Sequence, residues 1–187
     1  MADHGIVVFG IPIPSSSPVF LSLVAVHVAA GVTCTVAGAI AMLAIKRAGR
    51  HPLAGKIYFW SLLVVFTTTS CLSAIRWPFD NHLLTLGILS FAAGFVGRAA
   101  RRHLWPGWIR IHMSGMALSY ILLLTAFYVD NGPNLPLWRH LSPVAYWLLP
   151  SVVGLPILVY ALLRHPLVRP ESTAETPSNL PERKRAK

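Results

Sequence analysis

Histidine is the residue type with the most chemistry to offer in this chain: there are eight in 187 residues. A neutral imidazole ligates metals through one ring nitrogen, and its charge switches near neutral pH. His27 lies inside a long uncharged run, and His112 opens another. His51, His82 and His103 stand at the edges of such runs, whereas His4, His140 and His165 fall in polar segments where water satisfies them. If the runs are helices, their rise of 1.5 Å per residue puts His27 about 28 Å from Lys46, and His112 about 3 Å from Arg110. One haem therefore cannot bridge His27 and His112, and the feasible pairs are His51 with His112 and His27 with His82. These four are the candidate cofactor-binding residues, haem b being the group such pairs would hold. Competing with this is a plainer reading, in which His27 is satisfied by a carbonyl or threonine of a neighbouring helix while His51 and His112 mark a membrane boundary.

Other reactive groups are sparse. Cys34 and Cys71 both fall within apolar runs, where a thiol behaves as a small hydrophobe, so both are expected to pack rather than pair. No Asp or Glu falls inside an uncharged run, which argues against a carboxylate pathway across the membrane. The hydroxyls of Thr67, Thr68, Thr69 and Ser70 either line a polar path or bond back to their own helix. No residue is assigned a catalytic role, and no specific metal is implied.

The elements that must position these side chains are legible in the composition. Hydrophobic residues make up 55% of the chain and charged ones only 12%, far from the quarter typical of soluble proteins. Five stretches, 19–45, 57–75, 83–97, 111–129 and 143–163, contain no Asp, Glu, Lys or Arg. About 20 apolar residues cross a hydrocarbon core as a helix, so the expected fold is all-α, a polytopic bundle of five transmembrane helices spanning 19–165. The third stretch is short for a full crossing. Pro52 suits a helix start, placing His51 at or just before it, and Pro150 with Pro156 predicts a kink in the fifth span. Residues 1–18 form a short outer segment without the basic region of a signal peptide. Residues 166–187, rich in Pro, Glu, Ser and Thr, form a disordered basic tail.

Charge also predicts orientation. Of sixteen Lys and Arg, fourteen lie after the first, third and fifth spans, and only Arg76 and Arg139 lie after the second and fourth. Positive charge collects in cytoplasmic loops, so the N-terminus is expected outside and the C-terminus inside a bacterial inner membrane. The net charge of +10 is read as this topology signal and as attraction to anionic lipid headgroups through the basic loops and tail, not as a nucleic-acid footprint. Tyr58, Phe59, Trp60, Trp105 and Trp108 on one side, and Trp77, Tyr128, Trp138 and Trp147 on the other, are expected to anchor at the interfaces.

Small residues recur at helix-packing spacing: Ala30, Cys34 and Gly38, then Ser90 and Gly94, then Gly115 and Ser119. Such faces allow close approach within the chain or with another copy or partner, giving a homo- or hetero-oligomer. His27 with Gly31 and Gly38, His51-Pro-Leu-Ala-Gly55-Lys-Ile-Tyr58, and His112 with Met116 and Tyr120 also carry a resemblance. Over about residues 20–160 the chain resembles a family of bacterial membrane proteins catalogued as a domain of unknown function, which implies a membrane fold and the same three histidines. Family members often carry Arg after the second histidine, where this chain has Pro52. Three function classes follow: a histidine-dependent haem or metal protein with an electron-transfer role, a small carrier or channel, and an assembly or scaffold protein without small-molecule chemistry.

Overall fold

The computed structural model describes residues 6–8, 11–13, 17–45 and 49–164. Five helices make up the body: α1 (Pro18–Leu43), α2 (Arg50–Ile75), α3 (Asn81–His103), α4 (Trp108–Asn131) and α5 (Pro143–Arg164). All five are long and apolar enough to cross a membrane, so the chain is a multi-pass membrane protein. A small antiparallel hairpin that the sequence did not predict precedes them, pairing β1 (Ile6–Val8) with β2 (Ile11–Ile13). The tail, 166–187, and the loop residues Lys46 and Arg47 lie outside the described residues.

The helices outrun the apolar stretches that predicted them. The second begins at Arg50 instead of residue 57, and the third has 23 residues, so its apparent shortness disappears. Arg98, Arg101 and Arg102 are helical residues, because a long side chain carries its charge to the interface while its backbone continues the helix. The same effect corrects the expectation that no acidic residue lies in a span. Asp130 belongs to α4, whose last turn closes through Asn131 Nδ2 donating to the Phe127 carbonyl at 3.1 Å.

Contacts between helices make the bundle an up-and-down one. Cys34 of α1 meets Tyr58 of α2, and Ser90 of α3 meets Ser119 of α4. The two hairpins α1–α2 and α3–α4 are the closest pairings, and α5 packs chiefly on α4. Between α3 and α4 the backbones nearly touch: a Cβ on Gly115 would lie 2.7 Å from the Ala93 carbonyl oxygen and 2.8 Å from the Gly97 Cα. Glycine alone permits that crossing. The connecting turn is held by Leu104 and Gly107, both in the left-handed region, with Trp108 N–H donating to the Trp105 carbonyl at 2.8 Å. On the other side of α4, Tyr146 of α5 lies over Gly132, and its hydroxyl donates to the Trp138 and Leu141 carbonyls at 2.9 and 3.3 Å.

At the centre, four helices share a buried polar knot. The Tyr58 and Ser119 hydroxyls hydrogen-bond at 2.8 Å, Ser90 Oγ donates to the Ser119 carbonyl at 2.8 Å, and the Cys34 thiol donates weakly to the Tyr58 carbonyl at 3.5 Å. Apolar neighbours Ala37, Leu62, Val65 and Leu123 enclose it. Tyr58 is thus an interior residue, 2% exposed, and not the interfacial anchor its position suggested. Cys34 packs as expected, but Cys71 is exposed on the outside of its helix. The predicted small-residue positions Cys34, Gly38, Ser90, Gly94, Gly115 and Ser119 all serve contacts within the chain. Thr67, Thr68 and Ser70 bond back to carbonyls of their own helix at 2.8–2.9 Å.

Candidate functional site

The end of the bundle where α1 and α3 finish and α2 and α4 begin carries Arg50, Lys56, Arg98, Arg101, Arg102 and Arg110, and is called here the basic end. His51 is the second residue of α2, followed by Pro52 in the first turn, where no backbone N–H is required. His51 Nδ1 lies 2.8 Å from the carbonyl oxygen of Ala41, in the last turn of α1. The imidazole thus ties the last turn of α1 to the start of α2. His112, one turn before Gly115, reaches across the glycine crossing, with Nδ1 2.9 Å from the Gly97 carbonyl oxygen. The two rings come together, with centroids 6.5 Å apart and planes at 90°.

These bonds decide the tautomers. A carbonyl oxygen only accepts, so the proton of each ring sits on Nδ1, and in the neutral ring Nε2 carries the lone pair. An Nδ1–H held by a backbone carbonyl is the arrangement that fixes the ring of a metal-ligating histidine and raises its basicity. Gly55, one helical turn after His51 on the same face, would present a Cβ with nothing within 4 Å. Two cations are held against aromatic faces nearby: Arg98 lies 4.6 Å from the Phe59 ring centroid, and Arg101 lies 4.8 Å from that of Trp108.

His27 and His82, at the opposite end, have separate surroundings. His27 Nδ1 is 2.9 Å from Thr68 Oγ1. That hydroxyl has one proton, directed to the Val64 and Val65 carbonyls at 2.8 and 3.0 Å, so it accepts from His27 Nδ1–H. This is the threonine partner that the plainer reading of His27 anticipated. His82 is exposed, its ring centroid 6.2 Å from that of Trp147. Both histidines lie within electrostatic reach of Asp130, as do Arg76 and Asp80. Arg76 and Asp80 pair at 3.1 Å within the turn that joins α2 to α3. This is the carboxylate end.

Among the described residues, no group of three or more His, Cys, Asp or Glu is disposed to hold a metal ion. Asp130 and the carbonyls of Ala41 and Gly97 were not anticipated as site residues. Asp130 adjoins the fourth apolar run by one position and was open to discovery, but main-chain acceptors leave no trace in side-chain identity. No protein-family model matches the chain, and no curated protein or solved structure matches it significantly.

Proposed function

We propose that the chain is a haem-binding membrane protein that carries electrons, with His51 and His112 as the axial ligands. The observation behind this reading is the ring pair, with centroids 6.5 Å apart and both Nδ1–H groups held by backbone carbonyls. Two imidazoles ligating one ion from opposite sides, with metal–nitrogen bonds of about 2.0–2.1 Å, have centroids roughly 6–6.5 Å apart. With no third protein ligand among the described residues, the pair suits a group that brings its own equatorial nitrogens. The cations of the basic end suit its propionates. A haem held by two histidines has no vacant position for oxygen, which is why the proposed role is electron transfer.

The test is an absorbance spectrum and haem assay on protein from haem-replete cells, followed by hemin titration of the apoprotein. A bound low-spin haem is expected, lost in His112→Ala and in His51→Gln. The glutamine amide still donates to the Ala41 carbonyl, so His51→Gln separates ligation from the tie to α1. Protein that neither contains haem nor takes it up would sink the proposal.

The same proposal places the basic end in the cytoplasm of a bacterial inner membrane, with anionic headgroups against its arginines, in line with the partition of basic residues. Reporter fusions after Arg102, Asn134 and Lys187 are expected to read in, out and in. An outside reading at Lys187 overturns that orientation.

A further inference from the structure

The hairpin that precedes α1 takes no part in either group of histidines, and its composition is unusual for a segment surrounded by water. From Ile6 to Ile13 the sequence reads Ile-Val-Val-Phe-Gly-Ile-Pro-Ile, without a charged or hydrogen-bonding side chain. β1 and β2 pair antiparallel, Ile6 with Ile13, Val7 with Pro12 and Val8 with Ile11. All of the paired residues are apolar, so the hairpin has no polar face to offer water. Two strands of three residues do not hold together in water unless they pack on a further apolar surface. The bundle does not supply one: among the described residues, no helix makes more than marginal contact with either strand.

Pro12 decides the hydrogen-bonding pattern. In an antiparallel ladder, pairs that exchange both N–H···O bonds alternate with pairs whose main-chain groups turn outward. Proline has no N–H, so Val7 and Pro12 form the outward pair, while Ile6 with Ile13 and Val8 with Ile11 exchange bonds. The open edges of the paired residues therefore present the Val7 N–H and the Val7 and Pro12 carbonyls. Those groups need water or lipid headgroups, which keeps the hairpin out of the hydrocarbon core. They are also too few to hold a second copy by edge pairing, since the β2 edge lacks a donor and the β1 edge offers a single residue.

The chain brings the hairpin within reach of lipid. With 26 residues, α1 is about 39 Å long against a hydrocarbon core of about 30 Å, so its ends reach the headgroup regions. Ile13 is five positions before Pro18, at most about 18 Å along the chain. We propose that the hairpin is a lipid anchor lying in the headgroup–acyl boundary at the carboxylate end, its apolar strands against acyl chains and its open edges against water and headgroups. Its partner is the bilayer itself, taken through apolar surface and without any demand for charged lipid. Neither haem nor the histidines enter this interaction, so it stands or falls apart from them.

Nitroxides attached at Val7→Cys and, separately, at Val8→Cys test the placement, each in a Cys71→Ser chain held in nanodiscs of neutral phosphatidylcholine. Cys34 is buried and stays unlabelled. Collisions with oxygen, which dissolves among acyl chains, are compared with collisions with a neutral nickel chelate, which stays in water. At one position at least, oxygen is expected to exceed nickel several-fold, corresponding to a depth of about 5–10 Å into the boundary. Nickel collisions that match or exceed oxygen at both positions overturn the proposal. So does protection from both reagents at both positions, which would mean that protein covers the hairpin, with spin–spin broadening between chains marking that cover as a second copy.

Discussion

The two ends of the bundle handle their histidines by opposite means. At the basic end the imidazoles are fixed by main-chain carbonyls of other helices, and a glycine crossing without intervening side chains sets where one of them stands. At the carboxylate end His27 is held by a threonine hydroxyl and His82 is exposed beside Trp147. Backbone acceptors move only when a helix moves, so the geometry of the basic end is built into the bundle itself. Side-chain partners rotate, so the rings at the carboxylate end are held less firmly. Rigidity at one end and adjustability at the other follow from which atoms hold the rings.

The sharpest way to break this contrast is to add one methyl-bearing side chain at each end. Gly115→Val would drive its Cβ into the Ala93 carbonyl and the Gly97 backbone, so α3 and α4 must separate. A loss of about 1–3 kcal/mol or more is expected, with the Gly97–His112 bond broken, read as a lower melting temperature in detergent. Gly31→Ala meets nothing and removes a flexible residue from a helix, so stability is expected to hold or rise by up to about 1 kcal/mol. Equal destabilisation by the two substitutions would mean that the ends are packed alike.

A smaller effect tests the knot between the ends. Tyr58→Phe deletes the hydroxyl shared with Ser119, and interhelical hydrogen bonds in membranes average about 0.6 kcal/mol and reach about 1.7. Unfolding in mixed detergent micelles should show a loss in that range, the phenyl ring retaining its packing. A loss several times larger would show that the knot carries the fold, and the glycine crossing would then lose its primacy.

The smallest change is expected at the rim of the carboxylate end. The Arg76 side chain is 37% exposed in its pair with Asp80, so solvent screens it, and Arg76→Ala should cost under about 1 kcal/mol. A larger loss in the same unfolding measurement would show that this end too depends on a fixed contact.

Much of the fold was legible because the bilayer imposes a simple rule: uncharged runs of sufficient length become helices, and all five did. Their ends were read too short, since arginine and aspartate interrupt hydropathy without interrupting helical hydrogen bonding, as Arg50, Arg98 and Asp130 show. The pairing of His51 with His112 was legible as well, because alternating spans put the starts of α2 and α4 at one end. What stayed hidden depended on azimuth. The inward turn of Tyr58 and the outward turn of Cys71 depend on how each helix is rotated about its axis, and a uniformly apolar sequence carries little record of that rotation.

The contact between Tyr146 and Gly132 bears on how the chain is made in the cell. A protein emerges N-terminus first, so the α1–α2 and α3–α4 hairpins are both complete before Tyr146 is synthesised. α5 packs chiefly on α4 and therefore joins a bundle that has already met, with Tyr146 closing over Gly132 as a latch. Until it arrives, the flank of α4 around Ile121 and Gly132 is open to whatever helix lies beside it during insertion. The last helix to be made is therefore the one that covers this flank.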